Sequence, residues 1–231
     1  MRFENTEVFN FEGAFRGMRN PMNSWNKSDS YFNRDMYYIG EEDLKLAQKL
    51  IRAGSEHRKF MRQILVSVDI TAPVYWWKEF DTYKVGTVAN STSTMHKLAN
   101  NPITLDCFEI DSYSDELTST LVCDDEVFTY YSDEEPRCII DWLESLRQMY
   151  VETNDKRYWN ELVRWLPSGW LQTRTITMNY ENILNMIKQR VNHKLNEWSG
   201  NDNPDLPNFI SWAKTLPYAD ELFFIDKEVV G

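Results

Sequence analysis

In this 231-residue chain, the side chains best suited to bind a ligand are concentrated at residues 73 to 96, PVYWWKEFDTYKVGTVANSTSTMH. An apolar start carrying two tryptophans meets Lys78 and Glu79. A run of hydroxyl and amide side chains follows, made of Thr82, Tyr83, Thr87, Asn90, Thr92 and Thr94, with Lys84 among them. Such groups hydrogen-bond phosphate, ribose or a pyrimidine edge, so the run suits a ligand loop. It contains no acid–base or nucleophile–base pair, and its threonines equally suit turns and caps. His57, His96 and His193 are scattered, and no HExxH, Walker A or GxGxxG pattern occurs. Cys107, Cys123 and Cys138 form no close pair and read as reduced thiols rather than a disulfide or zinc framework. The acidic runs at 124–126 and 133–135 lack EF-hand spacing and read as solvated loops, so no metal site is expected.

The elements around these residues follow from periodicity. Residues 1–40 read as a strand or two with loops. EEDLKLAQKLIRA, from Glu41 to Ala53, has helical spacing, an acidic start and a closing Gly54. ILVSVDI alternates Ile64, Val66, Val68 and Ile70 on one face of a strand. Thr71 then reads as a cap for a helix with Pro73 in its first turn, running through YWWKEF to near Lys84–Gly86. One helix is expected from Ile139 to Trp165 and another from about Met178 to Trp198. Helical geometry puts Asn179 and Arg190 on one face, with Asn185 well round from that line. The segment from Asn201 is Pro- and Asn-rich, then aromatic, and is expected to wrap the domain. With no repeat or low-complexity linker, residues 1–231 read as one mixed helix-and-sheet (α+β) domain, with an N-terminal strand/loop region (1–40) and an aromatic C-terminal tail (201–231).

Composition narrows the function classes. Apolar residues make up 42% of the chain, with nine tryptophans, enough for a substantial core. No stretch approaches the length of a membrane span, and the start lacks the apolar block of a signal peptide, so a cytoplasmic location is expected. The net charge of −11 argues against nonspecific nucleic-acid binding, yet leaves room for a local cationic nucleotide site.

Across roughly residues 50 to 200 the chain resembles the flavin-dependent thymidylate synthases. The resemblance lies in ordered spacing: His57, the strand at 64–70, Pro73 opening a helix, then Leu166-Pro167, Asn179, Asn185 and Arg190. It implies helices on a mainly antiparallel sheet and a homotetramer with ligand sites between subunits. It also implies reductive methylation of dUMP to dTMP, using FAD, NADPH and methylenetetrahydrofolate. By the same resemblance, His57, Thr82, Tyr83, Lys84, Asn179 and Asn185 would lie at the flavin. Glu79, Asn90, Thr92, Thr94 and Arg190 would lie at the nucleotide, with Arg190 and Thr92 the catalytic positions. The chain departs from the family at its Arg-His-Arg motif, replaced by Thr82, Tyr83 and Lys84. Thr94 and Glu181 likewise stand where the family has arginines.

These substitutions keep other readings open. One is a binding protein of the same fold without turnover, and another is a flavoenzyme for a different pyrimidine nucleotide. At the residue level, Asn179 equally suits an ordinary N-cap, and Arg190 equally suits an ion pair with an acidic neighbour.

Overall fold

The computed structural model describes residues 1–34, 36–110, 118–123, 126–131 and 134–225. Contacts divide the chain into two compact units. The first comprises Met1–Thr71, Glu79–Asn90 and Arg174–Gly231; the second comprises Ala72–Lys78 and Ser91–Thr173.

The chain opens with strand β1 (Arg2–Phe9) and helix α1 (Phe11–Met18), followed by the short antiparallel strands β2 (Tyr31–Asn33) and β3 (Met36–Tyr38). Helix α2 (Glu41–Arg52) has three acidic residues in its first turn and Lys49 and Arg52 in its last, matching the helix dipole at both ends. It buries Ala47 and Ile51, together with Asp43.

Strand β4 (Leu65–Pro73) pairs antiparallel with β1, placing Arg2 opposite Thr71. Ile64, Val66, Val68 and Ile70 are fully buried, as their alternation predicts. Thr71 and Pro73 correct the sequence reading, because both belong to this strand and neither starts a helix. The residue before a proline favours extended backbone, which carries the strand through Ala72. Helix α3 (Val74–Phe80) is therefore shorter than expected at both ends. The amides of Val74 and Tyr75 donate to the carbonyls of Trp170 and Ser168, which satisfies two of the donors a helix start leaves open.

Strand β5 (Val88–Ser91), helix α4 (Thr94–Lys97) and the antiparallel pair β6 (Thr118–Cys123) and β7 (Glu126–Tyr131) follow. The helix expected over Ile139–Trp165 is two helices, α5 (Glu134–Thr153) and α6 (Lys156–Trp165). Asn154 has φ +54°, and the Asp155 carboxylate accepts from the Arg157 amide as an N-cap. A left-handed residue followed by a new cap ends one helix and begins the next. Leu98, Ile103, Phe108, Ile140, Leu143 and Leu162 form the core of the second unit.

The expected helix over Met178–Trp198 is also subdivided. Strand β8 (Leu171–Asn179) is followed by α7 (Tyr180–Arg190) and, after a turn, by α8 (Asn196–Ser199). The turn is held by side chains: Asn201 Nδ2 donates to the Val191 carbonyl and Ser199 Oγ to that of His193. The aromatic tail forms α9 (Phe209–Lys214) and α10 (Ala219–Leu222). Trp198, Phe209 and Leu222 are fully buried in the first unit.

The largest sheet has the order β1-β4-β8-β5. The mixed class with antiparallel pairing agrees with the sequence reading. No helix is long and apolar enough to cross a membrane among the described residues. Cys107 and Cys138 are free thiols. The acidic runs at 124–126 and 133–135 lie outside the residues whose side chains are described, and no metal-ligating cluster occurs among the rest.

Candidate functional site

In the first unit, Arg190 ends α7 and is bound on several sides. Its Nη1 donates to Glu79 Oε2 at 2.7 Å and its Nε to the Tyr83 hydroxyl at 2.9 Å. The guanidinium also lies 4.9 Å from the Trp198 ring centroid and 5.6 Å from that of Tyr83, within cation–π range. Glu79 Oε2 accepts from Trp198 Nε1 at 3.0 Å and stands 3.3 Å from His193 Nε2. The Tyr83 hydroxyl donates onward to Gln189. Of the readings open for Arg190, pairing with an acidic neighbour is the geometry found here. His193 and Trp198 complete the cluster, and no local motif marked them.

A second cluster surrounds Glu181, the first-turn acid of α7. Arg58 Nε donates to Glu181 Oε1 at 3.0 Å, and Arg58 Nη2 to Asn185 Oδ1 at 2.9 Å. Arg62 Nε donates to the other carboxylate oxygen of Glu181. Burial alone would raise the Glu181 carboxyl, but hydrogen bonds from Arg62 and Arg58 hold it below the ordinary glutamate value. Glu181 in turn raises Arg62 above its ordinary value. Neither arginine stood out in the sequence, because Arg58 lies 123 residues from its carboxylate partner.

The loop after α3 rests on the start of α7. Asn179 is the N-cap of α7 in a capping box: its Oδ1 accepts from the Asn182 amide, and Asn182 Oδ1 accepts from the Asn179 amide. Asn182 Nδ2 donates to the Val85 carbonyl at 2.7 Å. Gly86 has φ +79°, and a Cβ there would come within 2.9 Å of both asparagine side chains, so this position suits only glycine. Thr82 Oγ1 donates to the Glu79 carbonyl and Thr87 Oγ1 to that of Tyr83, so both hydroxyls serve the turn. Lys84 and Asn90 are exposed.

Thr92 and Thr94 belong to the second unit. The Thr92 amide donates to the Thr173 carbonyl, and the Thr92 carbonyl accepts from Gln172 Nε2. Thr94 opens α4, with its carbonyl accepting from the Leu98 amide.

Exposed His57 lines a cleft of about 980 Å³ in the first unit, together with Lys27, Lys49, Lys59 and Phe60. Among the residues expected at a flavin, the oxygens of Asn179 and Asn185 are engaged. Their Nδ2 groups donate to no acceptor among the described residues. Exposed His57 and Lys84 carry further donors, and among the described residues no side-chain hydrogen bond joins either of them to these asparagines. That chemistry fits the carbonyl, ring-nitrogen and phosphate acceptors of a flavin dinucleotide.

No protein-family model and no curated protein matches the chain. Solved structures match along the whole length. Two are of the flavin-dependent thymidylate synthase of Helicobacter pylori with FAD and dUMP. One has a TM-score of 0.62 and 15% identity, covering 96% of this chain and 98% of that one. The other has a TM-score of 0.63 and 16% identity, covering 100% and 99%. A third is the UMP/dUMP methylase PolB of Streptomyces cacaoi bound with 5-Br dUMP. Its TM-score is 0.56 at 15% identity, covering 100% of this chain and 98% of that one. At these identities the likeness establishes the fold.

Proposed function

We propose that the protein is a flavin-dependent thymidylate synthase-like enzyme that reductively methylates dUMP to dTMP, with methylenetetrahydrofolate and NADPH as co-substrates. The observation carrying this reading is the end-to-end likeness, in both directions, to structures crystallised with FAD and dUMP. His57, Lys84 and the Nδ2 groups of Asn179 and Asn185 are the residues that would hold FAD. Bound flavin supplies hydride chemistry, which accords with the lack of a nucleophile–base pair in the 73–96 stretch. This chain's part is to bind and orient the nucleotide, with Glu79 and Arg190 beside it as a joined pair and not as a free cation. A homotetramer in the cytoplasm belongs to the same proposal.

One observation favours a second reading, a nucleotide- or flavin-binding protein of the same fold without dTMP synthesis or with another pyrimidine nucleotide as substrate. Arg190 is already paired with Glu79, so its charge is largely answered within the protein. The visible absorption of freshly purified protein, followed by titration with FAD and dUMP and an assay for dTMP, tests both. Yellow protein that forms dTMP from dUMP supports the enzyme. Binding of FAD and dUMP without dTMP favours the second reading, and binding of neither overturns both.

A further inference from the structure

Two guanidinium groups meet on the single carboxylate of Glu181, so the trio carries a surplus of positive charge. Exposure decides where that surplus is felt. The side chains of Arg58 and Glu181 are 10% and 8% exposed, whereas that of Arg62 is 49% exposed. Arg58 is further tied to Asn185, so it is the buried half of the arrangement. The surplus therefore reaches solvent through Arg62, whose Nη2 also approaches the Ser55 carbonyl at 3.5 Å. Glu56 also acts on Arg62, through its field and not through a hydrogen bond, so it offsets part of the surplus without occupying the guanidinium.

This arrangement is more than a solvated surface requires. An exposed arginine needs no buried partner, because surface pairs contribute little. Burying a carboxylate beneath it is costly unless well compensated, and here two arginines supply the compensation. What the buried carboxylate achieves is direction: Glu181 fixes the Nε edge of Arg62 and leaves much of the side chain in solvent. A planar guanidinium fixed in this way loses little freedom when it grips a phosphoryl group, and it can do so through two parallel hydrogen bonds. With a net charge of −11, the chain as a whole repels anions, so a phosphoryl group needs a local positive outlet of this kind.

We infer that Arg62 is a binding residue for a phosphoryl group, with Glu181 as its positioning residue and Arg58 supplying the second, buried positive charge. The anion chemistry stands on this geometry. The identity of the phosphoryl carrier, FAD or the pyrimidine nucleotide, rests on the proposed function.

The test uses the full chain, wild type and Arg62→Gln, titrated calorimetrically with inorganic pyrophosphate, FAD, riboflavin, dUMP and deoxyuridine. Wild type is expected to bind pyrophosphate, and Arg62→Gln to bind it about tenfold or more weakly, as loss of a charge-assisted contact implies. Arg62→Lys should recover part of the loss. An effect on FAD but not riboflavin assigns the contact to the flavin phosphates. An effect on dUMP but not deoxyuridine assigns it to the nucleotide. Equal weakening of riboflavin and deoxyuridine would mark Arg62 as merely structural and overturn the inference. So would wild-type pyrophosphate affinity in Arg62→Gln, or no pyrophosphate binding by wild type at millimolar concentration. Pyrophosphate binding through Arg62 without any binding of FAD or dUMP would uphold the inference and overturn the proposed function. FAD binding unchanged by Arg62→Gln, in a variant that also keeps wild-type pyrophosphate affinity, would do the reverse.

Discussion

A guanidinium loses much of its value as a ligand hook once its face and two of its nitrogens are engaged. Arg190 is in that state, between Glu79, Tyr83 and the ring of Trp198. Its carboxylate partner has three neighbouring donors on one oxygen, so removing the arginine leaves Glu79 with Trp198 and His193. The cost is moderated by partial solvent access, with side-chain exposures of 16% for Arg190 and 33% for Glu79. Arg190→Ala should therefore destabilise the fold by about 1–3 kcal/mol, combining a charged hydrogen bond with a cation–π contact. Thermal unfolding of Arg190→Ala, Glu79→Gln and the double variant checks this. The loss in the double variant should be well short of the sum of the two single losses, because the residues act as one pair. Additive losses would mean that the pair contributes nothing as a pair. Arg190 was legible in the sequence as a cation on a helix, but its partner was not. Glu79 lies 111 residues away, and no helical or strand period spans that distance. The same blindness hid Arg58 and Arg62, which take their meaning from Glu181.

At the scale of elements, the legible parts were those whose signal is local. The alternation of Ile64, Val66, Val68 and Ile70 marked β4, and the charge gradient of EEDLKLAQKLIR marked α2. Strand β8 escaped because its first residues, Leu171 to Arg174, are only partly buried and mostly polar, while its buried Ile176 and Met178 run directly into a helical pattern. The divide between them is Asn179, which the sequence allowed as a cap and the fold uses as one. The join between β8 and α7 is thus held by the reciprocal pair Asn179 and Asn182, and Asn182 also holds the 82–90 loop through the Val85 carbonyl. Asn179→Ala should cost about 0.5–2 kcal/mol, as loss of an N-cap does. Amide hydrogen exchange should speed up at the first turn of α7, with far less change in α2. Unchanged protection at Asn182 in a variant of wild-type stability would show that this cap is dispensable.

Over the whole molecule, acid is the condition the fold should tolerate least, because both units rest on buried or half-buried carboxylates that must stay ionised. In the first unit, burial alone would push Asp43 up. Hydrogen bonds from Ser28, Ser30 and Arg19 nevertheless hold it below its ordinary value. Glu181 is lowered in the same way by Arg62 and Arg58. In the second unit Glu144 is lowered to about 2, chiefly by hydrogen bonds from Arg147, helped by the Ile103 amide and Gln148. A carboxylate with a lower pKa in the folded chain than in the unfolded chain binds fewer protons when folded, so stability rises with pH through that interval. For Glu144 the contribution is fully present above its ordinary value of 4.5 and is lost as pH falls towards about 2. Denaturant unfolding should therefore show nearly constant stability above pH 5 as far as these groups are concerned, and a progressive loss below it. Glu144→Gln should destabilise the protein at neutral pH by about 1–3 kcal/mol, since the Arg147 guanidinium and the Ile103 amide lose a charged acceptor. The same variant should show a shallower decline in acid than wild type, because its amide does not titrate. Parallel acid profiles for Glu144→Gln and wild type would show that Glu144 is not held below its ordinary value, however close its partners stand.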